Sequence, residues 1–311
     1  MTGQTSDKIH FLNTGHSDCI ILESDGRFAM IDAAEDSDFP ADKPHLNLQG
    51  YEEEVVDYLL KNCKGSDGKV TLEFIVGTHA HSDHIGGFDT VILHPDIKVK
   101  KAYLKEYDES KVFVMERLRW DNQEVYDQMV NALKERNVER ISDFEQCKEK
   151  LGNFEITFFN GSQRKRFIKY GENISSVVTL VEKEGTRVLL AGDLNYKDGD
   201  ERRIAKQIGK IDLLKVGHHG YAGSTSAFWA KTLSPKYAVI TNNQSRIFPD
   251  VRFKLEKIAH SELHFTADEN GVTAYIGSNG NINMRSGMVS TSFSSGNSMP
   301  LGGKGLAYAV K

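Results

Sequence analysis

A buried strand that runs straight into a cluster of histidines constrains the fold of this 311-residue chain more than any other feature. The segment KVTLEFIVGT (69–78) is nearly continuous in apolar and β-branched residues, which predicts a strand covered on both faces. The next residues, HAHSDHIGG (79–87), bring three imidazoles and one carboxylate into six positions. The sequence therefore predicts a functional site at the end of a central strand.

The spacing of these side chains fits two metal ions. Residues two apart in an extended chain point to the same side, so His79 and His81 can face one ion. The turn at Ser82 then directs Asp83 and His84 towards a neighbouring position. Imidazole and carboxylate ligands suit Zn²⁺, with Mn²⁺ or Fe²⁺ as substitutes, and we therefore predict two Zn²⁺ ions as cofactors.

Two later strand ends complete the predicted ligand set. In VLLAGDLN (188–195), a glycine before Asp193 lets the backbone pass close to whatever this carboxylate binds, and Asp193 is predicted to bridge both ions. The strand in DLLKVGHHG (212–220) ends at His218 and His219. One imidazole is needed as a ligand and the other lines the pocket. His218, which is nearer the strand, is the predicted ligand, with His219 as the alternative.

The remaining pattern predicts a layered α/β fold. Residues 8–36 contain three strand-like runs with a turn signal at Asp25-Gly26, and GYEEEVVDYLLKNC (50–63) has the apolar spacing of a helix. Both halves place strands before helices, which is consistent with an αββα sandwich of two mixed β-sheets flanked by helices. Further predicted elements are a strand in DIKVKKAYLKEY (96–107), a helix in RLRWDNQEVYDQMVNALKERN (117–137) with Leu118, Val125, Met129 and Leu133 on its apolar face, a strand in FEITFFNG (154–161), a hairpin around Glu184-Gly185, and a helix in GSTSAFWAKTLS (223–234).

One domain is expected over residues 1–285, followed by an extension or tail over residues 286–311 that contains the glycine- and serine-rich SGNSMPLGGKG. The cysteines are odd in number, far apart and without CxxC spacing, which predicts ordinary thiols at Cys19, Cys63 and Cys147.

Composition narrows the classes of partner. No run of about 18 apolar residues occurs, so we expect no membrane span. The chain is expected to be soluble, and cytoplasmic as it stands or secreted if a leader has been removed. The net charge of −5 and the pI of about 6.1 make nucleic acid a less favoured partner, although they leave room for a local basic groove. The sequence does not indicate an oligomeric state.

The set formed by Asp32, THAHSDH, AGDL and GHHG resembles the metallo-β-lactamase superfamily over residues 8–245. The resemblance implies the αββα sandwich, a binuclear metal site at the sheet edge and hydrolysis by a hydroxide that bridges the metals. Asp32 matches the aspartate that supports the histidine loop instead of binding metal. Asp83 and His219 are the candidate catalytic residues, His219 as an acid that helps to protonate the leaving group.

Within that superfamily, KIHFLNTGHSDCIILESDGRFAMIDAAED, YLKEYDES, ERLRWDN and IGKIDLLKVGHHG resemble the hydrolase domain of the bacterial phosphorylcholine esterases that trim teichoic acids. This resemblance implies a small-molecule or cell-wall phosphodiester as the substrate. The competence-type DNA-internalisation hydrolases are the next nearest, because they share NISSVV, AGD and KVGHHG.

The chain departs from the wider family pattern at one position. The histidine usually found between the HxHxDH loop and the bridging aspartate is missing, since no histidine occurs between His94 and His218. The segment GENISSVV (171–178) occupies the expected place. Asn173 or water is therefore the candidate to complete the first metal's shell, and the alternative for Asn173 is a loop or hydrogen-bonding role.

A choline substrate would need an aromatic cage, because aromatic faces attract quaternary ammonium ions. The candidate cage residues are Trp120, Tyr103, Tyr107 and Tyr126, and the alternative for each is core packing.

Four functions remain in competition. A phosphodiesterase is favoured; a nuclease or cyclic-nucleotide phosphodiesterase and a lactonase or β-lactamase are alternatives on the same fold. A non-catalytic metal-binding module is disfavoured, because six protein ligands for two ions leave coordination positions open, unlike a structural zinc site.

Overall fold

The computed structural model describes residues 7–65, 67–163, 169–196 and 200–287, and the strands and helices below are numbered in chain order within these ranges.

Two β-sheets form the centre of the molecule. The first has the strand order β16-β15-β1-β2-β3-β4-β6-β7, with β5 also pairing with β4, and the second has the order β14-β13-β12-β11-β10-β9-β8. The strands of the first sheet are β1 (Lys8–Phe11), β2 (Cys19–Ser24), β3 (Arg27–Ala33), β4 (Val70–Gly77), β5 (Ile97–Val99), β6 (Lys101–Leu104), β7 (Glu139–Ile141), β15 (Val272–Ile276) and β16 (Ile282–Ser286). Those of the second are β8 (Lys148–Leu151), β9 (Phe154–Phe159), β10 (Val178–Lys183), β11 (Thr186–Leu190), β12 (Leu213–Lys215), β13 (Tyr237–Ile240) and β14 (Glu262–Phe265).

Helices cover the outer face of each sheet. Three apolar clusters separate the layers: one joins the first sheet to α1, α3 and α5, one lies between the sheets, and one joins the second sheet to α6, α7 and α8. This arrangement is the predicted αββα sandwich, which is thereby confirmed. The helices are α1 (Glu52–Asn62), α2 (Ser82–Ile85), α3 (Phe88–Leu93), α4 (Val114–Arg119), α5 (Asn122–Glu135), α6 (Asp200–Ile208), α7 (Ala227–Leu233) and α8 (Pro249–Phe253), which continues as a π-helix over Lys254–Ala259.

The locally encoded elements form as predicted. The strands β1, β2 and β3 are an antiparallel meander, and β10 and β11 pair as the hairpin predicted around Glu184-Gly185. Both predicted turns have two successive residues with positive φ, at Asp25 (51°) and Gly26 (69°) and at Glu184 (45°) and Gly185 (84°). Such a pair matches the right-handed twist of the flanking strands.

Two predicted elements are each divided in two. The helix predicted over 117–137 is broken at Trp120, whose φ of −117° and ψ of 165° are extended, and Leu118 is 68% exposed instead of facing the core. The strand predicted over 96–107 consists of β5 and β6, interrupted at Lys100. The segment SGNSMPLGGKG and almost all of the predicted tail lie outside the described residues.

The strand ends that carry the candidate site meet at one edge of the sandwich. In the first sheet β4 runs parallel to β3 and β6, and in the second β11, β12 and β13 are parallel. The carboxyl ends of parallel strands lie on the same side of a sheet. A backbone hydrogen bond from Val177 N to Thr78 O (3.0 Å) joins the two sheets at this edge. Within the described ranges, no helix is long and apolar enough to cross a bilayer.

Truncating the packing between the sheets is expected to be costly. Phe158 is fully buried and its ring lies 4.7 Å from that of Tyr103 and 5.5 Å from that of Phe144. Phe158→Ala should lower the free energy of unfolding by about 3–5 kcal/mol, measured by urea denaturation. Phe253→Ala is the matched control, because Phe253 is 58% exposed and its loss should change stability by no more than about 0.5 kcal/mol. Equal losses in both variants would contradict the layered core.

Candidate functional site

Two histidines at the strand ends face each other across the junction of the sheets. His84 Nε2 and His219 Nε2 are 3.2 Å apart, and Asp193 lies against both, with Oδ1 3.2 Å from the first and Oδ2 3.3 Å from the second. Asp83 Oδ2 is 3.3 Å from His219 Nε2. The structure therefore brings Asp83, His84 and Asp193 together as predicted from the sequence, with His219 as the fourth member.

An outer carboxylate fixes the orientation of His84. His84 Nδ1–H donates to Asp32 Oδ2 at 2.7 Å, and Asp32 also accepts hydrogen bonds from Thr78 N (2.8 Å) and Thr78 Oγ1 (2.7 Å). These contacts leave the Nε2 lone pair of His84 directed at Asp193 and His219. Asp32 thus contacts the histidine loop from behind, the position that the sequence assigned to it.

A second outer carboxylate holds His219 in the same way. Its Nδ1 lies 3.3 Å from Asp18 Oδ1 and 3.0 Å from Thr241 Oγ1. Asp18 is fully buried and forms an ion pair with Lys215, which is also fully buried. Asp18, His84, Asp193 and His219 form a group in which one ligand atom from each lies within 4.8 Å of the others.

The other two loop histidines form a second facing pair. His79 Nε2 and His81 Nδ1 are 3.1 Å apart. The remaining nitrogen of each ring has an oxygen partner: His79 Nδ1 is 3.1 Å from Thr78 Oγ1, and His81 Nε2 is 3.1 Å from Glu116 Oε1. Because Thr78 donates its own proton to a carboxylate, its oxygen accepts from His79, and both facing nitrogens are left without protons.

The imidazole nitrogens that face each other at 3.1 and 3.2 Å repel each other when both carry lone pairs and also when both carry protons, so each pair calls for a shared proton or for a cation between or beside the rings. Asp193 Oδ1 is buried and receives no hydrogen bond, which also fits a shared cation. The donor set of imidazoles and carboxylates is one that zinc, manganese or iron accepts. The residues therefore fit the predicted pair of ions.

The segment that replaces the missing histidine lies over the histidine loop. A 3₁₀ turn over Glu172–Ser175 is followed by Ser176, whose Oγ is 3.3 Å from His79 Nδ1 and accepts a hydrogen bond from Asp193 N (3.0 Å). Asn173 is 4% exposed, and its Oδ1 has no hydrogen-bond partner. An unpartnered buried amide oxygen in this segment is consistent with a ligand role for Asn173.

The structure brings His219, the alternative of the two adjacent histidines, into the cluster. Both have left-handed backbone angles, with φ of 53° at His218 and 48° at His219, and this turn directs the second imidazole into the cluster. His218 Nδ1–H instead donates to Ala222 O at 3.0 Å, and His218 lines the pocket. Because His219 Nε2 faces Asp83 and Asp193, this nitrogen can either bind a cation there or act as the predicted acid, but it cannot do both.

The cluster carries more carboxylates than cations. Burial lowers the pKa of His84 and of His219, but the surrounding carboxylates, Asp193 first, outweigh it and raise both pKa values well above the usual range. Burial alone would raise the pKa of Asp193, yet the two imidazoles hold it well below its ordinary value. Burial and the neighbouring imidazoles lower the pKa of His79. The site therefore attracts cations, and His79 stays neutral, as a metal ligand must.

A pocket opens directly over this cluster. It combines acidic, basic and aromatic side chains around the facing imidazoles. Besides apolar and small residues, its lining contains His16, Glu35, His45, His81, Asp83, Arg119, Trp120, Asp121, Asn122, Asp193, His218, His219, Tyr221 and Arg246.

Of the four predicted cage residues, the structure brings only Trp120 into that pocket. Tyr103 is 1% exposed between the two sheets, with its hydroxyl on Glu149. Tyr126 is 7% exposed and packs against Tyr107 at 5.8 Å between ring centroids. Core packing, the alternative for each tyrosine, is what the structure shows for Tyr103 and Tyr126; Tyr107 is partly buried, and none of the three lines this pocket.

Several pocket and support residues were missed in the sequence. Asp18 lies in the turn between two buried strands, and Lys215 is a lysine inside an otherwise apolar strand. A charged side chain in such a position requires a buried partner, so the sequence could have indicated that Asp18 and Lys215 are paired with groups of opposite charge. His16, Glu35 and Glu116 lie in segments that carried the family resemblance, but no spacing pattern within those segments singled out these three side chains.

Comparison with known proteins agrees with this geometry. A family model described as the metallo-beta-lactamase superfamily matches residues 12–241. ComE operon protein 3 of Bacillus subtilis (strain 168) is 27% identical over 211 residues, which are 66% of this chain and 24% of that protein. Recombination protein 2 of Haemophilus influenzae is 27% identical over 177 residues, 56% of this chain and 18% of that protein. The chain thus spans about a quarter or less of the length of these relatives.

A solved structure shares the fold. The metallo-beta-lactamase fold protein YhfI from Bacillus subtilis superposes with a TM-score of 0.51 at 11% sequence identity, over 83% of this chain and 96% of that one. At that identity the likeness concerns the fold alone.

Proposed function

Because the chain belongs to the metallo-β-lactamase superfamily, we propose that it is a metal-dependent hydrolase that cleaves a phosphodiester with two divalent cations. The observation that carries the proposal is the presence of two pairs of imidazole nitrogens, each pair facing across 3.1 or 3.2 Å with the outer nitrogens held by acceptors.

Each pair supplies one ion site in the proposal. His79, His81 and Asp193 hold the first cation, with Asn173 as the added ligand, and Zn²⁺ is the expected ion. The second is held by Asp83, His84, Asp193 and His219. When bound, the two ions acidify a water molecule and neutralise the anionic oxygens of a phosphodiester.

Basic groups of the pocket suit the substrate's phosphate. Arg119 and Arg246 both line the pocket over the cluster. Guanidinium groups pair with phosphate oxygens through parallel hydrogen bonds. His16 and His218 line the same pocket, where burial lowers the pKa of each imidazole to about 4, so both are neutral at pH 7 and can form hydrogen bonds to the substrate's oxygens.

A cationic alcohol is the favoured leaving group, as in phosphorylcholine esters and cell-wall phosphodiesters that carry them. Trp120 lies in the pocket together with Glu35 and Asp121, which are 4% and 5% exposed. An aromatic face attracts an ammonium group, and a cation bound beside Trp120 would offset the burial that raises the pKa of Glu35 and of Asp121. Arg119 already lies 5.5 Å from the Trp120 ring.

A nuclease is the second candidate. It is favoured by the likeness to proteins named for competence and recombination, which covers only a small part of those proteins. The acidic residues of the pocket and the net charge of −5 count against a nucleic-acid backbone.

A parallel substrate screen tests the proposal. Zinc-loaded protein is assayed with bis(nitrophenyl) phosphate, nitrophenyl phosphorylcholine, nitrocefin, plasmid DNA and single-stranded DNA. We expect hydrolysis of both phosphate esters, faster for the choline ester, and none of nitrocefin. Rapid DNA cleavage without turnover of the choline ester would support the nuclease, and nitrocefin turnover alone would overturn phosphodiester hydrolysis.

Removing the pocket tryptophan should weaken binding of a cationic substrate. Trp120→Ala is expected to raise KM for nitrophenyl phosphorylcholine about fivefold to thirtyfold, the equivalent of about 1–2 kcal/mol, with a smaller change in kcat. The KM for bis(nitrophenyl) phosphate, which has no cation, should change little. Phe113→Ala is the control, because Phe113 is half exposed and does not line the pocket. Equal KM changes for both substrates would contradict the cation site.

A further inference from the structure

A buried ion pair lies behind the second ion site and has no role in the proposal so far. Asp18 and Lys215 are 1% and 0% exposed, and they come from the turn before β2 and from the end of β12. Lys215 Nζ also donates to Gly192 O at 3.0 Å and lies 3.8 Å from Asp193 Oδ1. Burying two charges costs several kcal/mol per ion, so a pair at this position calls for a purpose beyond stability.

The two oxygens of Asp18 have separate partners. Oδ2 faces the Lys215 ammonium group, whereas Oδ1 accepts the Thr241 hydroxyl proton at 2.6 Å and lies 3.3 Å from His219 Nδ1. Its backbone is fixed as well, by hydrogen bonds from Asp18 N to Asp83 O (3.0 Å) and from Ala34 N to Asp18 O (2.8 Å). The carboxylate therefore cannot turn without breaking contacts on both sides.

We propose that Lys215 and Asp18 are a positioning pair that keeps the His219 proton on Nδ1, so that Nε2 keeps its lone pair for the second cation. This inference rests on the metal centre of the proposed function and assigns to two further residues the task of setting its affinity. Lys215, a donor only, holds one oxygen of Asp18, and the other oxygen is thereby always presented to His219 as an acceptor. In this proposal Asp18 acts from behind His219, since its Oδ2 faces the Lys215 ammonium group and its Oδ1 accepts the Thr241 proton, although Asp18 also belongs to the group of four possible ligands.

The proposal predicts that a second substitution, at Lys215, reverses the effect of a substitution at Asp18. In Asp18→Asn, Lys215 takes the single amide oxygen, and the amide N–H then faces His219 Nδ1 and Thr241 Oγ1. Thr241 can no longer donate to residue 18, so its hydroxyl proton also turns to His219 Nδ1. A donor opposite Nδ1 favours the tautomer protonated at Nε2, which cannot bind a cation. In Asp18→Asn with Lys215→Met, nothing competes for the amide oxygen, which can turn to accept from His219 and restore the first tautomer.

Zinc retention against a graded chelator tests this in four proteins: wild type, Asp18→Asn, Lys215→Met and the double variant. We expect Asp18→Asn to bind one of its two zinc ions about 10- to 100-fold more weakly. Lys215→Met should stay close to wild type, since the carboxylate still accepts, and the double variant should recover most of the loss. ¹⁵N spectra of labelled histidines report in parallel which nitrogen of His219 carries the proton.

Asp7→Asn is the matched control. Asp7 is 3% exposed and pairs with Lys183 beside Ser24 and Asn153, at the far end of β1, so this variant loses a buried ion pair without touching the site. It should retain both zinc ions even if its thermal stability falls. If Lys215→Met does not fold, the comparison of zinc binding by Asp18→Asn and by the double variant still tests the proposal.

If Lys215 and Asp18 have only a structural role, the double variant should bind zinc no more tightly than Asp18→Asn, and that result would overturn the proposal. Unchanged zinc binding in Asp18→Asn would overturn it too, while leaving the metal centre intact. If the wild type retains no zinc, the proposed hydrolase is refuted. The ¹⁵N spectra then test the role of Lys215 and Asp18 by themselves. A His219 that is still protonated at Nδ1 in Asp18→Asn would overturn that role.

Discussion

Asp193→Ala is expected to lower kcat/KM for the best phosphodiester by at least about 10³-fold in a protein that remains folded. Asp193 is 2% exposed and contacts both His84 and His219, and in the proposed centre it is the one carboxylate shared by the two cations. Its removal leaves the facing imidazoles without their common counter-charge. Metal analysis should find fewer than two ions in the variant, and circular dichroism should find the wild-type fold.

Asp57→Ala is a suitable control for this loss. Asp57 lies on α1 with 54% of its side chain exposed, where it pairs with the surface residue Lys61. Such a pair contributes little, so activity and metal content should stay at wild-type values. Undiminished turnover in Asp193→Ala would rule out the shared carboxylate, and with it the assignment of both ion sites.

The sequence identified most of the fold because its elements are encoded locally. The β-turn signal at Asp25-Gly26 and the alternation of its flanking strands need no distant contact. The break at Trp120 was hidden for the opposite reason. Lys43 Nζ donates to Trp120 O at 2.6 Å and His45 Nε2–H to Arg119 O at 2.7 Å. A loop more than seventy residues away thus ends the helix, which helical periodicity cannot reveal.

The same distinction applies to the candidate site. The residues from His79 to His84 occupy one turn, so their spacing alone predicts that they meet. The choice between His218 and His219 depends on two successive left-handed residues, a conformation that non-glycine side chains rarely adopt and that no propensity predicts. Asp18 and Lys215 meet only because β2 and β12 belong to different sheets that close on each other. Residues that lie behind a candidate ligand in this way are brought together only by the tertiary fold, so local sequence patterns do not reveal them.

The two proposed ions should leave the protein one at a time under chelation. In the proposed centre, the second site has the carboxylates of Asp83 and Asp193 as ligands, and those of Asp32 and Asp18 lie behind its histidines. The proposed first site has only Asp193 as a charged ligand, with a neutral amide at Asn173. A site with less negative charge binds a divalent cation more weakly, so mild chelation should remove the first ion and then the second.

Substitution of Asn173 tests whether its amide oxygen contributes to the affinity of the weaker, first ion site. Asn173 Oδ1 is buried without a hydrogen-bond partner, which leaves this oxygen available to a cation in the proposed first site. Asn173→Ala should therefore move the release of the weaker ion to lower chelator concentration by about tenfold, and Asn173→His should move it higher. Chelator titration with metal analysis gives both values, and Asn283→Ala, an exposed position on β16, controls for loss of an amide. Two ions that leave together, with no change in either Asn173 variant, would show that another group completes the first site.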